Sequence, residues 1–346
     1  MKIAEKQNSL LLKALHCQNS SRPPIWIMRQ AGRYMPQYRT MRAKYDFLCL
    51  CHQPELAAEV TLLPIRTFGM DAAILFSDIL VIAEALGRGL RFEEGIGPII
   101  DRPIHSAKDL ETLPKPMISE ALGYVKQTIQ LLLPQLSVPL IGFCGAPFTV
   151  ASYLVEGRSS RDLKKTKQWM IREPHTFHQL LNHVCDCTVE YLKMQITAGV
   201  NAIQIFDSWA HVLDHSHFRA FSLFYLKRIV LALKDTGVPI ILFCRGSSLF
   251  APQLAEVAPA AISLDWNADI TQVRRQIPST IALQGNLDPD ILYGDRNVIS
   301  SAAKAILEGM KEEPGYIFNL GHGIHPDTPM ESVHTLVDLV HSFSTS

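Results

Sequence analysis

What this chain lacks narrows its chemistry before any residue is singled out. No apolar run approaches the ~18 residues that a membrane-spanning helix requires. The opening stretch MKIAEKQNSLLLKAL has neither a long apolar centre nor a small-residue cleavage site. It reads as a short amphipathic helix, not a secretory leader. Neither sign of charge is in excess, with 33 Lys+Arg against 33 Asp+Glu, which argues against a dedicated nucleic-acid binder. The seven cysteines (17, 49, 51, 144, 185, 187 and 244) are odd in number and contain no C-x-x-C. A disulfide framework is not expected, and a reducing cytoplasm suits the pattern. A P-loop, a G-x-S-x-G elbow and an H-E-x-x-H helix are all missing.

Acidic residues are also missing locally. None lies between Glu5 and Asp46, and within that gap stand Arg29, Arg33, Arg39, Arg42 and Lys44. These cations follow the apolar run Ile25-Trp26-Ile27-Met28, and Gly32 sits between the first two arginines. Guanidinium forks match carboxylates or phosphates with paired hydrogen bonds, so the segment reads as an anion clamp. A solvated basic loop is the plainer reading of the same charge pattern.

With 47% apolar residues the chain can build a substantial core. Short apolar runs at 25–28, 72–76, 139–143, 202–206, 239–243, 261–264, 280–283 and 316–320 read as strands. They are too apolar for half-exposed antiparallel strands and suit a covered parallel sheet. Amphipathic stretches at 121–133, 175–198 and 218–234 lie between them. This alternation predicts a single α/β domain over 1–346, a distorted (β/α)8 TIM barrel. A doubly wound open sheet is the competitor, and the absence of G-x-G-x-x-G after the first run favours the barrel. The glycine-rich segment 87–103 predicts a hairpin-like excursion, and LPKPM at 113–117 a loop.

In a barrel, chemistry gathers where strands end. The strand ends here carry Arg29 and Arg33, Ser77-Asp78, Asp207-Ser208, Arg245-Gly246, Asp265, Gln284-Gly285-Asn286 and Gly321-His322-Gly323. The third run is followed by Cys144-Gly145-Ala146-Pro147 and a helix bearing Tyr153. Any one of these could be structural, since a strand-end Asp often caps the next helix. His211 and His215 could share a helix face, but no third ligand accompanies them, so no metal site is assigned.

Two segments, PIWIMRQAGR at 24–33 and IGFCGAPFTVASYLVEG at 141–157, closely resemble the signature regions of the uroporphyrinogen decarboxylase family. FSDIL at 76–80, LQGNLDP at 283–289 and NLGHG at 319–323 are similar to the same family. The resemblance implies a distorted barrel, a homodimer, and neither metal nor organic cofactor. It implies a reaction in which the four acetate arms of uroporphyrinogen III become methyls, giving coproporphyrinogen III and carbon dioxide. It places Asp78 and Arg29 as catalytic, with Arg33, Tyr153, Ser208 and His322 as further substrate contacts. The backbone of Gln30, Ala31 and Gly32 would offer N–H groups to a carboxylate, as in an anion nest. Two departures stand out: Arg245 where lysine is expected, and His211 where glycine is expected.

These residue types suit that chemistry. A macrocycle ringed by carboxylates needs cations at a rim and an apolar floor, for which Met28, Phe76, Ile79, Ile82, Phe143 and Phe206 are candidates. A protonated pyrrole can itself accept the electrons left by carbon dioxide, so no separate electron sink is required. A fixed carboxylate, Asp78, would stabilise that cation. Arg29 is a weaker candidate for proton donor, because a guanidinium ordinarily holds its proton to above about pH 12. Corrinoid-linked methyltransferases share the barrel but bind zinc through histidine and cysteines at strand ends. Here Phe243 precedes the strand-end Cys244.

Overall fold

The computed structural model describes residues 8–93 and 95–344. Its centre is a parallel sheet of seven strands in the order β1 (Ala73–Ile74), β4 (Leu140–Gly145), β5 (Ala202–Asp207), β6 (Ile240–Cys244), β7 (Ala261–Ser263), β8 (Ala282–Leu287) and β9 (Tyr316–Leu320). The excursion forms a separate antiparallel hairpin, β2 (Leu90–Glu93) with β3 (Gly97–Ile100), in register Leu90 opposite Ile100. Helices cover the sheet's outer face. The expected helical stretches appear as Gly123–Leu132, Pro174–Ala198, and a π turn Phe218–Leu223 continuing into Phe224–Leu233.

Residues 25–28 depart from the expected strand. Ile25 makes only a single parallel bridge to Phe318 of β9. Side chains take the N–H groups that a ladder would use. Ile25 N–H donates to Asp71 Oδ2 (2.8 Å), Ile27 N–H to Gln30 Oε1 (3.2 Å) and Met28 N–H to Asn319 Oδ1 (3.1 Å). Pro23 and Pro24 supply no N–H at all. The segment still fills the gap between the two outer strands. Phe318 N–H donates to Pro24 O (2.9 Å) and Asp71 N–H to Ile25 O (2.9 Å).

Strand alternation sorts the core into two parts. Inside the curl, Trp26, Ile141, Ile241 and Ile317 pack with the small Ala72, Ala202, Ala261 and Ala282. Leu11, Leu12, Ala14 and Leu15 of the short helix Leu10–Leu15 join this cluster. Large residues beside small ones let side chains from many strands fill a narrow interior. Between sheet and helices lies the larger cluster, with Leu140, Ile203, Leu242, Leu283 and Phe318 on the sheet side.

The inner cluster is crossed by a buried polar relay. Trp26 Nε1–H donates to Gln284 Oε1 (2.9 Å), while Gln284 Nε2 donates to Gln204 Oε1 (3.0 Å) and Ser263 Oγ (2.9 Å). Gln284 thus ties Trp26 of the first segment to β5, β7 and β8 in the buried interior. Gln284→Leu leaves an indole N–H and two oxygens unpaired, and is expected to cost about 2–4 kcal/mol. Chemical denaturation checks this, and a loss below about 0.5 kcal/mol would mean the relay is dispensable.

Candidate functional site

Site residues gather where the strands end. The turn after the first segment is held tightly. Gln30 N–H donates to Ile27 O (2.9 Å), Gln30 Nε2 to Ala72 O (3.1 Å) and Tyr34 Oη–H to Gln30 O (2.5 Å). Gln30 is fully buried, so it shapes the turn and its N–H is already used. The anion nest is therefore narrower than expected: the Ala31 and Gly32 N–H groups have no partner among the described residues. Arg29 adopts φ 63°, a left-handed conformation that disfavours residues with a side chain, and lies exposed at the mouth. Strain of this kind persists where surrounding bonds over-determine the backbone, and functional sites are where it is usually found. Ile324 N–H donates to Met28 O (3.0 Å) on one side of Arg29, and the Gln30 bonds grip the other.

Glycines let this arginine settle. A Cβ on Gly323 would lie 2.5 Å from Arg29 Cδ, and one on Gly321 would lie 2.5 Å from Trp266 N. His322 between them contacts Phe243 and Trp266 edge-on, at centroid distances of 6.0 and 6.2 Å. Burial, reinforced by the Arg29 and Arg245 charges, pushes the His322 pKa down to about 4. Its ring is neutral at physiological pH.

The guanidiniums of Arg29 and Arg33 have no hydrogen-bond or ion-pair partner among the described residues. The rest of the cationic segment differs from the rim of cations expected. Arg39 donates to Arg33 O (2.8 Å) and Tyr34 O (3.0 Å), and Arg42 to Tyr45 O (2.7 Å), so both bind their own backbone. Arg245 is exposed beyond β6.

Asp78 follows β1 in the turn before the helix Val81–Ala85, and its Oδ1 accepts from Leu80 N–H (2.8 Å). Part of its surface opens to the cleft. Burial nevertheless pushes its pKa up to about 6, against the opposing pull of the Leu80 N–H and the Arg29 charge, while Glu84 adds to the rise. Tyr153, buried on the helix Pro147–Glu156, has its phenol pKa raised by burial and feels the charges of both Asp78 and Arg29. Its ring meets Trp209 at 6.0 Å.

Two buried carboxylates shape the neighbouring loops. Asp207 accepts from Thr149 Oγ1 (2.6 Å) and Ser222 Oγ (2.5 Å), and Thr149 Oγ1 accepts from Trp209 N–H (3.1 Å), which fixes the loop bearing Ser208. Asp265 accepts from Gly246 N–H (2.8 Å), Ser248 Oγ (2.6 Å) and Asn267 Nδ2 (2.9 Å), tying the loop after β6 to the loop after β7. Of the expected floor residues, Ile82 is fully enclosed in the outer core and does not line the cleft, while Met28 packs in the inner cluster. Phe76, Ile79 and Phe206 remain partly open. Phe206 meets Phe143 (5.7 Å) and Phe243 (5.8 Å) edge-on, giving an aromatic trio from three adjacent strands. Phe243 was not among the expected residues, although it shares the inward parity of Ile241.

His211 and His215 do not share a helix face. His211 sits in the 3-10 turn Ala210–Val212, with Nδ1 3.1 Å from Ser208 O. His215 begins the next helix and bonds Gln253 Nε2 (2.5 Å). Among the described residues no group of three His, Cys, Asp or Glu could hold a metal ion.

A curled parallel sheet with helices on its outer face, and with exposed arginines, partly open aromatic rings and Asp78 near its strand ends, defines a barrel-like α/β protein. The family model described as uroporphyrinogen decarboxylase (URO-D) matches residues 6–343. A relative named uroporphyrinogen decarboxylase from Protochlamydia amoebophila is 56% identical, covering 98% of this chain and 93% of that one. Another of that name, from Desulfotalea psychrophila, is 45% identical over 97% of this chain and 99% of its own. The chain belongs to the uroporphyrinogen decarboxylase family. A solved structure of a methyltransferase from Methanosarcina mazei matches the fold at TM-score 0.82 with 22% identity, covering 97% of this chain and 99% of that one.

The elevated Asp78 pKa is also a statement about stability. The folded state holds this proton more tightly than the unfolded chain does. Between pH 3.8 and about 6, stability therefore falls as pH rises, by up to roughly 3 kcal/mol. Asp78→Asn keeps an oxygen for the Leu80 N–H and discards the charge. At pH 8 it is expected to raise stability by about 1–3 kcal/mol, an advantage that vanishes below about pH 4. Thermal denaturation across pH checks this, and an unchanged or lower melting temperature at pH 8 would contradict a desolvated carboxylate.

Proposed function

We propose that this protein removes carbon dioxide from the four acetate arms of uroporphyrinogen III, yielding coproporphyrinogen III. The observation that carries this reading is the pairing of unneutralised Arg29 and Arg33 at the mouth with the desolvated, partly open Asp78. Family membership supports the same conclusion.

In this proposal the rim carboxylates of the macrocycle meet Arg29, Arg33 and the free Ala31 and Gly32 N–H groups. Its apolar face lies against Phe206 and its aromatic neighbours. Protonation of a pyrrole carbon makes the ring cationic and draws electrons toward it. The bond between the acetate methylene and its carboxylate breaks, carbon dioxide leaves, and the electron pair enters the ring. A proton then adds to the exocyclic carbon to form the methyl, and loss of the ring proton restores the pyrrole. Each arm consumes one proton in total. Asp78 as an anion faces the pyrrole N–H groups and stabilises the cationic stage in a site with little water. Tyr153, Ser208 and His322 serve as substrate contacts. His322, neutral at physiological pH, donates a ring N–H to a carboxylate. The homodimer implied by the resemblance and the cytoplasmic location read from the cysteine pattern belong to this proposal. The seven free cysteines support the latter.

Anaerobic incubation with uroporphyrinogen, followed by oxidation and detection of coproporphyrin, tests the activity. No product from folded protein would end the proposal. Asp78→Asn should lower kcat a hundredfold or more, on the order of 3 kcal/mol of barrier, and leave coproporphyrinogen affinity within a few-fold. Near-normal turnover in this variant would mean that shape, not charge, matters at this position. In the wild type, kcat/KM should decline as pH falls through about 6, because protonation removes the anion from the free protein. A profile flat from pH 7 to 5 would contradict that role.

A further inference from the structure

A second pair of arginines, in a pocket that shares no lining residue with the barrel mouth, lies at the base of the β2–β3 hairpin. Leu86, Gly87, Arg88, Arg102, Thr112 and Pro114 line a pocket of about 360 Å3, and none of them is acidic. Arg88 is 9% exposed, an unusual placement for a guanidinium. One of its terminal nitrogens donates to Asp109 O (3.0 Å) and Thr112 Oγ1 (2.9 Å), while its Nε–H is buried with no partner. Arg102 donates to Gly87 O and enters no ion pair among the described residues. The nearest acid acting on Arg88, Asp109, has its carboxylate turned to His105 N–H (2.9 Å) and Ser106 Oγ (2.9 Å). Asp101, beside Arg102, is paired with Arg91 at 2.7 Å.

Two guanidiniums therefore share one pocket without a counter-ion. A buried cation is costly unless an opposite charge meets it, and a second cation nearby adds repulsion. The Arg102 charge indeed disfavours the protonated form of Arg88, in the same direction as burial. An oxyanion would relieve both costs, accepting several N–H bonds from two forks at once. Leu86 and Pro114 give the pocket an apolar shoulder, which suits a small ligand carrying carbon as well as charge.

We infer that this pocket binds a small oxyanion, a carboxylate or phosphate bridged between Arg88 and Arg102. The site is separate from the cationic mouth and does not depend on the proposed decarboxylation. Its test must silence the mouth, which also attracts anions. The full chain carrying Arg29→Met and Arg33→Met provides that background. Its melting temperature is measured with inorganic phosphate and, separately, with butyrate, chloride being adjusted to hold ionic strength constant. Saturating ligand should raise the melting temperature by roughly 2 °C or more in at least one arm. The responding arm tells phosphate from carboxylate. Adding Arg102→Gln, or Arg88→Met, should abolish the rise. Arg102 is exposed, so its replacement keeps the test valid even if the Arg88 variant folds poorly. No rise in either arm, or a rise that survives Arg102→Gln, overturns the inference.

Discussion

The gap between β9 and β1 is bridged by side-chain oxygens standing in for a missing strand. A parallel ladder between β9 and β1 would need evenly spaced N–H donors from residues 24–28. Proline removes the first, and Asp71, Gln30 and Asn319 capture three others. Asn319 is the joint that matters most. Its Oδ1 accepts from Met28 N–H and from its own neighbour Leu320 N–H (2.8 Å), so one buried atom fastens the first segment to the last strand. A regular strand would have carried the chain straight past the rim. The side-chain clamps instead stop it at Met28 and turn it, and that turn delivers Arg29 over Gly323. The irregular closure and the placement of the arginine have the same cause.

The carboxylates at the strand ends divide the labour by their partners. Asp207 and Asp265 are both fully buried, and donors from neighbouring elements satisfy them. Their charges are used up in joining loops to helices. Asp207 illustrates the limit of that compensation: burial still pushes its pKa up to about 6 despite two hydroxyl donors. Asp78 keeps a single backbone donor and one open side, so its remaining hydrogen-bonding capacity faces the cleft. Similar burial thus gives structural carboxylates where partners are complete and a chemically available one where they are not.

Much of this was legible in the sequence because fully buried parallel strands read as continuous apolar runs. The runs that became β4, β5, β6 and β9 were placed within two residues. The acid-free interval around Arg29 and Arg33 signalled unneutralised cations correctly, since a missing counter-ion is itself a pattern in sequence. What escaped were facts about direction. Gln30 in R-Q-A-G-R looks as available as its neighbours, yet it is wholly enclosed. Arg39 and Arg42 carry the same charge as Arg33, but helix geometry turns them onto nearby carbonyls. Phe243 could have been found by counting alternation from Ile241, whereas Ile82 could not have been removed from the floor without knowing which side of its helix meets the core. The Arg88–Arg102 pair, fourteen residues apart, becomes visible only once the hairpin folds back.

The charges around the cleft act on one another, and their effects have a direction. Arg29 and Arg245 both disfavour a charged His322, and Arg29 also favours an ionised Asp78. Burial sets the protonation of the cleft and the cations modify it: they reinforce the neutral imidazole of His322 and oppose, without cancelling, the raised pKa of Asp78. An anionic ligand arriving at the arginines would neutralise them in part and weaken both effects. His322 would then hold a proton more readily, and the ionised form of Asp78 would lose some of its support. Compensation for Asp78 must come from the ligand itself. A molecule that brings N–H donors to its centre and carboxylates to its edge supplies both requirements together. An ordinary dicarboxylate supplies only the second. In the proposed function, the ligand that would complete this charge layout has mixed polarity with a definite radial order, anionic outside and hydrogen-bond-donating inside.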